Sequence, residues 1–325
     1  VAAIDAGCPI ETPAFNVNRL CGSGLQAIVS AAQAIALGDC DVAIGGGSES
    51  MSRGPYFDQG ARWGARMGDS KSIDYMLGIL HDPWQKMHMG ITAENLVDKY
   101  GISREAQDAF AAASQQKAVA AIEAGRFDAE ITPVLIPQRK GDPIAFARDE
   151  QPRAGTTAES LAKLKPAFKK DGSVTAGNAS SLNDGAAAVV VMSKAKAEEL
   201  GLTWIAEIGA HGVVAGPDST LQAQPANAIE LACAKEGISA SDLDVVEINE
   251  AFGAVVCQSL ADLDYPLEKT NIHGGAIALG HPIGASGCRV LVTLLHEMIK
   301  RDVQKGLATL CIGGGQGVAL AIERA

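Results

Sequence analysis

The stretch "NRLCGSGLQAI" at residues 18–28 places a cysteine where a glycine-rich turn opens a helix. The residues before it, "PAFNVN" (13–18), predict a strand, and the residues after it are apolar at helical spacing until Gly38, which predicts the end of the helix. These apolar positions are Leu25, Ile28, Val29, Ala32, Ile35 and Ala36. The next segment, "CDVAIGGG" (40–47), predicts a buried strand.

A second segment repeats this pattern later in the chain. Apolar residues between 290 and 299 again follow helical spacing, and "LATLCIGGG" (307–315) predicts another strand. Ser23-Gly24 opens the first helix as Ser286-Gly287 opens the second, and both predicted strands contain Ile-Gly-Gly-Gly. We therefore expect two related α/β halves about a pseudo-two-fold axis, with both glycine-rich strand ends in one region.

The length of 325 residues fits two such halves. We place the N-terminal half at residues 1–197 and the C-terminal half at residues 203–325. Residues 51–182 lack the repeat's regularity, although Ser103 predicts the N-cap of a helix that runs to Gly125. Excursions of this length usually carry binding or assembly functions.

Composition excludes several classes of protein. The formal net charge of −11 argues against binding to nucleic acid or to an anionic membrane surface. The seven cysteines are odd in number and lack C-x-x-C spacing, so neither a disulfide scaffold nor a structural zinc site is favoured. We see no apolar run of eighteen residues and expect no membrane-spanning helix. A reducing, cytoplasmic location fits these features best.

Cys21 lies between a predicted strand and a predicted helix, near the positive end of the helix dipole. That position would lower the pKa of its thiol from about 8.5 and make it a nucleophile. A buried structural cysteine is the alternative. The turn also matches a dinucleotide-binding fingerprint, Gly22-x-Gly24-x-x-Ala27, with Asp39 or Asp41 roughly 20 positions on, which keeps an oxidoreductase open. Against that alternative, residues 18–21 separate the predicted strand from the first glycine.

Three further residues could act together with Cys21. His281 lies in a glycine-rich stretch (271–289) and is a candidate general base, because imidazole titrates near neutral pH. Cys311 ends the second predicted strand and is not equivalent to Cys21 in the repeat, so the two thiols should have different tasks. Asn249 begins a predicted helix after a strand and is either an N-cap or a catalytic residue. A structural role is the alternative for each of them.

With these residues assembled, the chain resembles the thiolase family over essentially its whole length. Four motifs carry the resemblance: "NRLCGSGLQAI" (18–28), "NEAFGAVV" (249–256), "GGAIALGHPIGASG" (274–287) and "CIGGGQG" (311–317). The resemblance implies an α/β thiolase fold, in which the central sheets of two related halves sandwich helices and a loop domain, here about residues 51–182, is inserted in the first half. Two other stretches, "GARMGDS" and "HMGITAENL", look most like the tetrameric bacterial enzymes.

The resemblance implies ping-pong acyl transfer that forms or cleaves 3-ketoacyl-CoA. Cys21 would be the nucleophile, activated by His281, and would carry the acyl group. Cys311 would take a proton from the α-carbon of an acyl-CoA in condensation and protonate the acyl-CoA leaving group in thiolysis. One oxyanion hole would combine His281 with a water held by Asn249, and the other would use the backbone amides of Cys21 and Gly313.

The resemblance also implies a channel for coenzyme A (CoA). His88 would hydrogen-bond near the thioester oxygen or the pantetheine. The other implied positions are Met89, Arg153, Ser160, Phe168, Ala176, Ser180, Leu182, Leu221, Ala251 and Phe252. Acetyl-CoA, 3-ketoacyl-CoA and CoA are the implied substrates, with no tightly bound cofactor and no metal, and a homodimer or homotetramer is expected.

Two features depart from the family pattern. Thiolases have roughly 65–70 further residues before the point that corresponds to Val1, so we expect an unpaired strand edge and exposed apolar surface. The segment "STLQAQP" (219–225) stands where the family reads closer to "M-G-x-G-P", with Leu221 at the methionine and Gln224 at the second glycine. The preferred acyl length therefore stays open, and a non-enzymatic CoA- or acyl-binding protein is a further alternative.

Overall fold

The computed structural model describes residues 1–325, which form eleven α-helices and ten β-strands. The helices are α1 (Ala2–Asp5), α2 (Ser23–Leu37), α3 (Tyr75–Ile79), α4 (Met89–Tyr100), α5 (Arg104–Glu123), α6 (Ala158–Leu161), α7 (Lys194–Glu199), α8 (Gln224–Glu236), α9 (Gly253–Leu263), α10 (Ala276–Leu279) and α11 (Ile283–Arg301). The strands are β1 (Val42–Ser50), β2 (Tyr56–Asp58), β3 (Ser72–Asp74), β4 (Val134–Ile136), β5 (Ile144–Phe146), β6 (Asp184–Met192), β7 (Ala206–Ala215), β8 (Val245–Ile248), β9 (Lys305–Ile312) and β10 (Gln316–Arg324).

Two sheets enclose a layer of helices. The larger sheet has the strand order β7-β10-β9-β8, in which β10 is antiparallel to both of its neighbours and β8 is parallel to β9. The smaller sheet pairs β1 with β6 in antiparallel register. Helix α11 contacts both sheets and packs on α2, while α8 covers the opposite face of the larger sheet. The molecule is therefore layered as helix, sheet, helices and sheet, as the resemblance implied.

Strand β9 separates two parts of the core. Its side chains alternate between the faces of the sheet. Ala308, Leu310 and Ile312 pack with α2 and α11, whereas Cys311 packs with residues of α4 and α9. Cys311 therefore emerges on the face away from the central helices, at the end of the strand.

The two central helices cross where their backbones touch. A Cβ added at Gly24 would lie 2.7 Å from the backbone nitrogen of Cys288, and one added at Gly287 would lie 2.4 Å from that of Leu25. Each helix thus needs a glycine where the other passes. The glycine of each repeated Ser-Gly pair therefore lies against the backbone of the equivalent helix in the other half.

Several local predictions are confirmed. Gly38 ends α2 in the left-handed conformation with φ +80°. The Ser103 side chain accepts the Ala106 N–H at the start of α5, and that helix ends just before Gly125. Residues 51–70 contain only short, mostly exposed elements. The division at residues 197 and 203 stays a prediction.

Two strand predictions are wrong. Residues 13–18 form no strand, because no neighbouring segment pairs with their backbone. β1 does form, but it is not buried: Ile44 is 58% exposed and Val190 on β6 is 62% exposed. A buried strand needs cover on both faces, and β1 has neighbours only on the side of α2 and α11. The expected strand edge and apolar surface are thus present.

One helical stretch, Leu20–Leu37, is long and apolar enough to cross a membrane by length and composition, with a mean hydropathy of 1.5. The expectation of no such segment fails by this measure, although polar side chains interrupt the apolar ones. Leu25, Ile28 and Val29 of this stretch are buried in the core with α11 and β9.

Gly287→Ala should lower the free energy of unfolding by about 1–3 kcal/mol, because the new methyl group would overpack the crossing of α2 and α11. Urea denaturation followed by circular dichroism measures the change. The control is Gly78→Ala in α3, where nothing lies within 4 Å of the added methyl group, so the variant should be neutral or slightly stabilised. Equal unfolding midpoints for the two variants would contradict this description of the crossing.

Candidate active site

Cys21 is fixed by a short turn that precedes α2. Leu20–Gly22 forms one turn of 3-10 helix, in which Leu20 has φ +46°. The Ser23 hydroxyl closes this turn by accepting the Arg19 N–H at 2.9 Å and donating to the Leu20 carbonyl at 2.7 Å. A Cβ on Gly22 would lie 2.5 Å from the Ile312 side chain, so the turn presses against the end of β9.

The Cys21 thiol is un-ionised at neutral pH. Burial raises its pKa to about 11, and this effect outweighs the backbone N–H groups of Gly313 and of Cys21 itself, which hydrogen-bond to the sulfur and lower the pKa. Nearby Glu49 raises it slightly further. The expected depression of the pKa by the helix dipole is therefore wrong, because desolvation of the thiolate dominates.

Cys311 reaches the same place from the opposite direction. It is 3% exposed at the end of β9. Burial raises the pKa of its thiol well above the ordinary range, and the charge of a Cys21 thiolate would raise it further. The residues next to the two cysteines are in contact, since a Cβ on Gly22 would lie 2.5 Å from the Ile312 side chain and one on Gly313 would lie 3.2 Å from that of Leu20. The structure therefore brings together the two cysteines that the sequence placed 290 positions apart.

His281 is held by its backbone and by its ring. Its backbone N–H donates to the Asn183 side-chain oxygen at 3.2 Å, and a Cβ on Gly280, which has φ +97°, would collide with that side chain. The ring atom Nδ1 lies 2.6 Å from Ser286 Oγ and 3.4 Å from Asn249 Nδ2. Nε2 is buried without a protein partner, so it can accept or donate to a bound molecule.

Burial lowers the pKa of His281 to about 4, and the positive charge of Arg289 acts in the same direction. The imidazole is therefore neutral at pH 7. The Ser286 hydroxyl also lies 3.0 Å from the Pro282 carbonyl. When the hydroxyl donates to Pro282, Nδ1 carries the ring proton and Nε2 can act as a base. When it donates to Nδ1, Nε2 carries the proton and can stabilise an oxyanion.

Asn249 does not cap α9. Phe252 occupies the N-cap of α9, and Asn249 is fully buried with its side-chain oxygen unpaired. Its backbone N–H donates to the Thr309 carbonyl at 3.0 Å. The neighbouring Glu250 accepts from Ser114 Oγ and Asn271 Nδ2 at 2.6 and 2.8 Å, which fixes the turn.

An apolar patch extends from Cys311 into the excursion. The His88 ring stacks on Phe168 with centroids 5.0 Å apart, and Phe168 meets Phe252 edge to face at 6.2 Å. The Phe168 ring lies where a Cβ on Gly90 would be, at 2.2 Å. Of the positions implied by the resemblance, this patch also contains Met89 and Ala251.

The remaining implied positions are spread more widely. Ser180 donates its backbone N–H to the Ala251 carbonyl at 3.0 Å, which joins the excursion to the turn after β8. Ser160 completes a capping box with Thr157 at the start of α6, a structural contact. Leu221 is buried. The exposed positions are Arg153, Ala176 and Leu182.

Two residues at the site were missed by sequence reasoning. In the sequence, Ser286 stands out only as the counterpart of Ser23 in the repeat, but its hydroxyl contacts the His281 ring in the structure. Gln222, in the segment that departs from the family pattern, lies with its side-chain oxygen 3.9 Å from Cys311 Sγ. The only sequence feature that could have indicated Gln222 is the difference of this segment from the family's "M-G-x-G-P" pattern.

The dinucleotide alternative has no support in the structure. The backbone of α11 fills the space beside Gly24, and Ile312 fills the space beside Gly22, so a pyrophosphate has no room at these glycines. No group of three or more His, Cys, Asp and Glu side chains is placed to hold a metal ion.

Two family models and a curated relative match nearly the whole chain. The family model for the thiolase N-terminal domain matches residues 1–195, and that for the thiolase C-terminal domain matches residues 202–324. An acetyl-CoA acetyltransferase of Pseudomonas aeruginosa is 61% identical over 99% of this chain and 82% of its own length.

Solved structures extend the likeness to the fold. The acetyl-CoA acetyltransferase of Bacillus anthracis superimposes with a TM-score of 0.96 at 47% identity, over 100% of this chain and 82% of that one. Human mitochondrial 3-ketoacyl-CoA thiolase in complex with CoA gives a TM-score of 0.94 at 42% identity, over 99% of this chain and 80% of that one.

The raised pKa of Cys21 and the lowered pKa of His281 predict an un-ionised pair at neutral pH. The rate of Cys21 alkylation by iodoacetamide should therefore keep rising with pH toward about 11, since only the thiolate reacts. Peptide mass spectrometry across a pH series measures this rate, with Cys21→Ser as the control for peptide assignment. A rate that levels off below about pH 8 would indicate a thiolate–imidazolium pair and contradict this prediction.

Proposed function

Because the chain belongs to the thiolase family, we infer that it catalyses CoA-dependent acyl transfer, forming or cleaving 3-ketoacyl-CoA through an acylated cysteine. One observation supports this most strongly: the partly buried Cys21 and the buried Cys311, from different motifs, are neighbours in different surroundings. Cys21 receives a backbone N–H from Gly313 as well as its own, while Cys311 receives only its own. A nucleophile and a proton carrier need this difference.

In the first half-reaction, we assign Cys21 as the nucleophile that attacks the acyl carbonyl. The thiol is neutral, so its proton must leave as the carbon–sulfur bond forms, and neutral His281 accepts it through Nε2. The negative charge that develops on the carbonyl oxygen is stabilised by the amides of Cys21 and Gly313. Losing one such donor typically costs about 10²–10³ in rate.

We assign Cys311 as the carrier of the α-proton, which it removes in the second half-reaction of condensation and delivers in the first half-reaction of thiolysis. In condensation Cys311 first gives its own proton to neutral His281, and the resulting thiolate removes a proton from the α-carbon of acetyl-CoA. The enolate then attacks the acyl group on Cys21, and His281 returns its proton to the departing Cys21 sulfur. In thiolysis the same proton returns to the acetyl-CoA leaving group. The enolate oxygen is held by His281 and by a water bound to Asn249, whose side-chain oxygen is buried without a protein partner.

We propose that the excursion supplies the CoA site. The stacked rings of His88 and Phe168 and the neighbouring Met89 form an apolar wall that continues from Cys311. Such a wall suits the pantetheine arm, and the exposed Arg153 and Leu182 suit the outer part of CoA. We further propose a homo-oligomer without a tightly bound cofactor, located in the cytoplasm.

For the acyl group, acetoacetyl-CoA is our proposed substrate. Leu221 and Gln222 are both buried close to the site, at 9% and 5% exposure. Two side chains of this size leave less room than a glycine-containing segment. We therefore expect a preference for the shortest acyl chains.

Cys311→Ala should separate the two half-reactions. Exchange of labelled CoA into acetyl-CoA does not need Cys311 and should stay within about tenfold of the parent, while thiolysis of acetoacetyl-CoA should fall by about 10²–10⁴, the usual contribution of a general acid. Both rates are measured with purified protein.

The control for this experiment is Cys257→Ala, which removes another partly buried thiol, on α9. It should change neither rate appreciably. Undiminished thiolysis in Cys311→Ala, or loss of exchange alone, would contradict the assignment of Cys311.

Phe168→Ala should raise the KM for acetoacetyl-CoA about tenfold with a smaller change in kcat, because the ring contributes to binding equally before and during reaction. Steady-state thiolysis measures both constants. Trp63→Ala, which removes an aromatic side chain that is 83% exposed in the 51–70 segment, should leave both unchanged. A fall in kcat at constant KM would count against the proposed CoA wall.

A further inference from the structure

Gln222 lies in the segment 219–225, where this chain departs from the "M-G-x-G-P" pattern. Counting from Leu221, Gln222 occupies the first glycine of that pattern. Its side chain is buried at 5% exposure, immediately before α8. A polar side chain buried in this position requires hydrogen-bond partners.

The contacts of the Gln222 carboxamide fix its orientation. Nε2 donates to the Met89 carbonyl at 3.0 Å and to Thr92 Oγ1 at 2.6 Å. The Thr92 hydroxyl donates its own hydrogen bond to the same Met89 carbonyl, at 2.7 Å, so it can only accept from Gln222. The nitrogen of the amide therefore faces α4.

The opposite end of the amide faces the reactive thiol. Gln222 Oε1 lies 3.9 Å from Cys311 Sγ, within reach of the weak hydrogen bond that a thiol donates to oxygen. An amide oxygen can accept a hydrogen bond but cannot donate one. It therefore interacts favourably with the neutral thiol and unfavourably with the thiolate.

Few other groups act on the Cys311 thiol. The side chains packed around it from α4 and α9 are apolar, among them Leu96, Val97 and Val255. Glu94 of α4 is turned away and accepts from the Ser173 and Val174 backbone N–H groups. The ionisable neighbour is Cys21, whose thiolate would also oppose a second negative charge. Gln222 is thus the polar side chain placed to orient the S–H bond.

We propose that Gln222 is a positioning residue for Cys311: its amide, anchored to α4, accepts the S–H hydrogen, fixes the sulfur and holds the thiol protonated between half-reactions. This role rests on the proposed function, in which Cys311 must deliver a proton to the leaving group. No bond is made or broken by Gln222, and the proton stays on sulfur until substrate takes it.

Two substitutions test the role because they should act in opposite directions. Gln222→Met keeps the approximate volume but removes the acceptor, so alkylation of Cys311 by iodoacetamide should accelerate about two- to fivefold. Gln222→Glu brings a negative charge to the sulfur, so alkylation should slow by at least as much. Both are made in a Cys21→Ser background and followed by peptide mass spectrometry at pH 8.5.

The matched control is Gln224→Met. Gln224 is also buried and lies in the same segment, but its side chain donates to the Gly216 carbonyl instead of contacting Cys311. Its substitution should leave the alkylation rate within about twofold. A general loosening of the segment would instead accelerate alkylation in all three variants.

The inference would be overturned if Gln222→Met and Gln222→Glu changed the Cys311 alkylation rate in the same direction, or if Gln222→Met left that rate unchanged. Should the Glu variant not fold, the comparison of Gln222→Met with Gln224→Met decides the question. Alkylation needs no turnover, so a shifted rate in a protein without thiolase activity would contradict the proposed function while preserving the contact. Normal thiolysis with an unchanged alkylation rate would support the proposed function and contradict the role of Gln222.

Discussion

The close approach of α2 and α11 at Gly24 and Gly287 sets the geometry of the whole site. With no side chain at either position, the two helices bring their N-terminal ends together. The turn carrying Cys21 precedes one helix, and the loop carrying His281 precedes the other. The strand β9, which packs against both helices, then delivers Cys311 and the Gly313 amide to the same place. The contact between the two helix backbones thus brings residues from three distant motifs into one site.

Burial governs the chemistry of that site more than charge does. Burial raises the pKa of both thiols and lowers that of His281, so every reacting group is un-ionised at rest. In the proposed mechanism, ionic species arise only in the presence of substrate, and the amides of Cys21 and Gly313, Asn249 and the imidazole stabilise the charge that develops. Such preorganised dipoles act strongly in a site shielded from water.

Local signals in the sequence predicted the parts whose causes are local. Gly38 ends α2 and Ser103 caps α5 because the conformation of a single residue decides each. The Ser-Gly repeat indicated two equivalent helices, but their crossing at Gly24 and Gly287 came only from the structure. The exposure of β1 was not predictable from its own residues, because burial of a strand depends on what covers it. The predicted lowering of the Cys21 pKa was wrong for a similar reason, because the burial of the thiol depends on what packs around it. Ser286 and Gln222 escaped notice because their roles come from side-chain contacts across the fold.

The central claim is that Cys21, not Cys311, carries the acyl group. The most direct measurement mixes the protein with acetyl-CoA labelled in the acetyl group, quenches in acid within the first turnover and maps the label by peptide mass spectrometry. The account predicts one labelled acetyl group on the peptide that contains Cys21. Label on the peptide of Cys311, or a fully folded protein that takes up none, would contradict it.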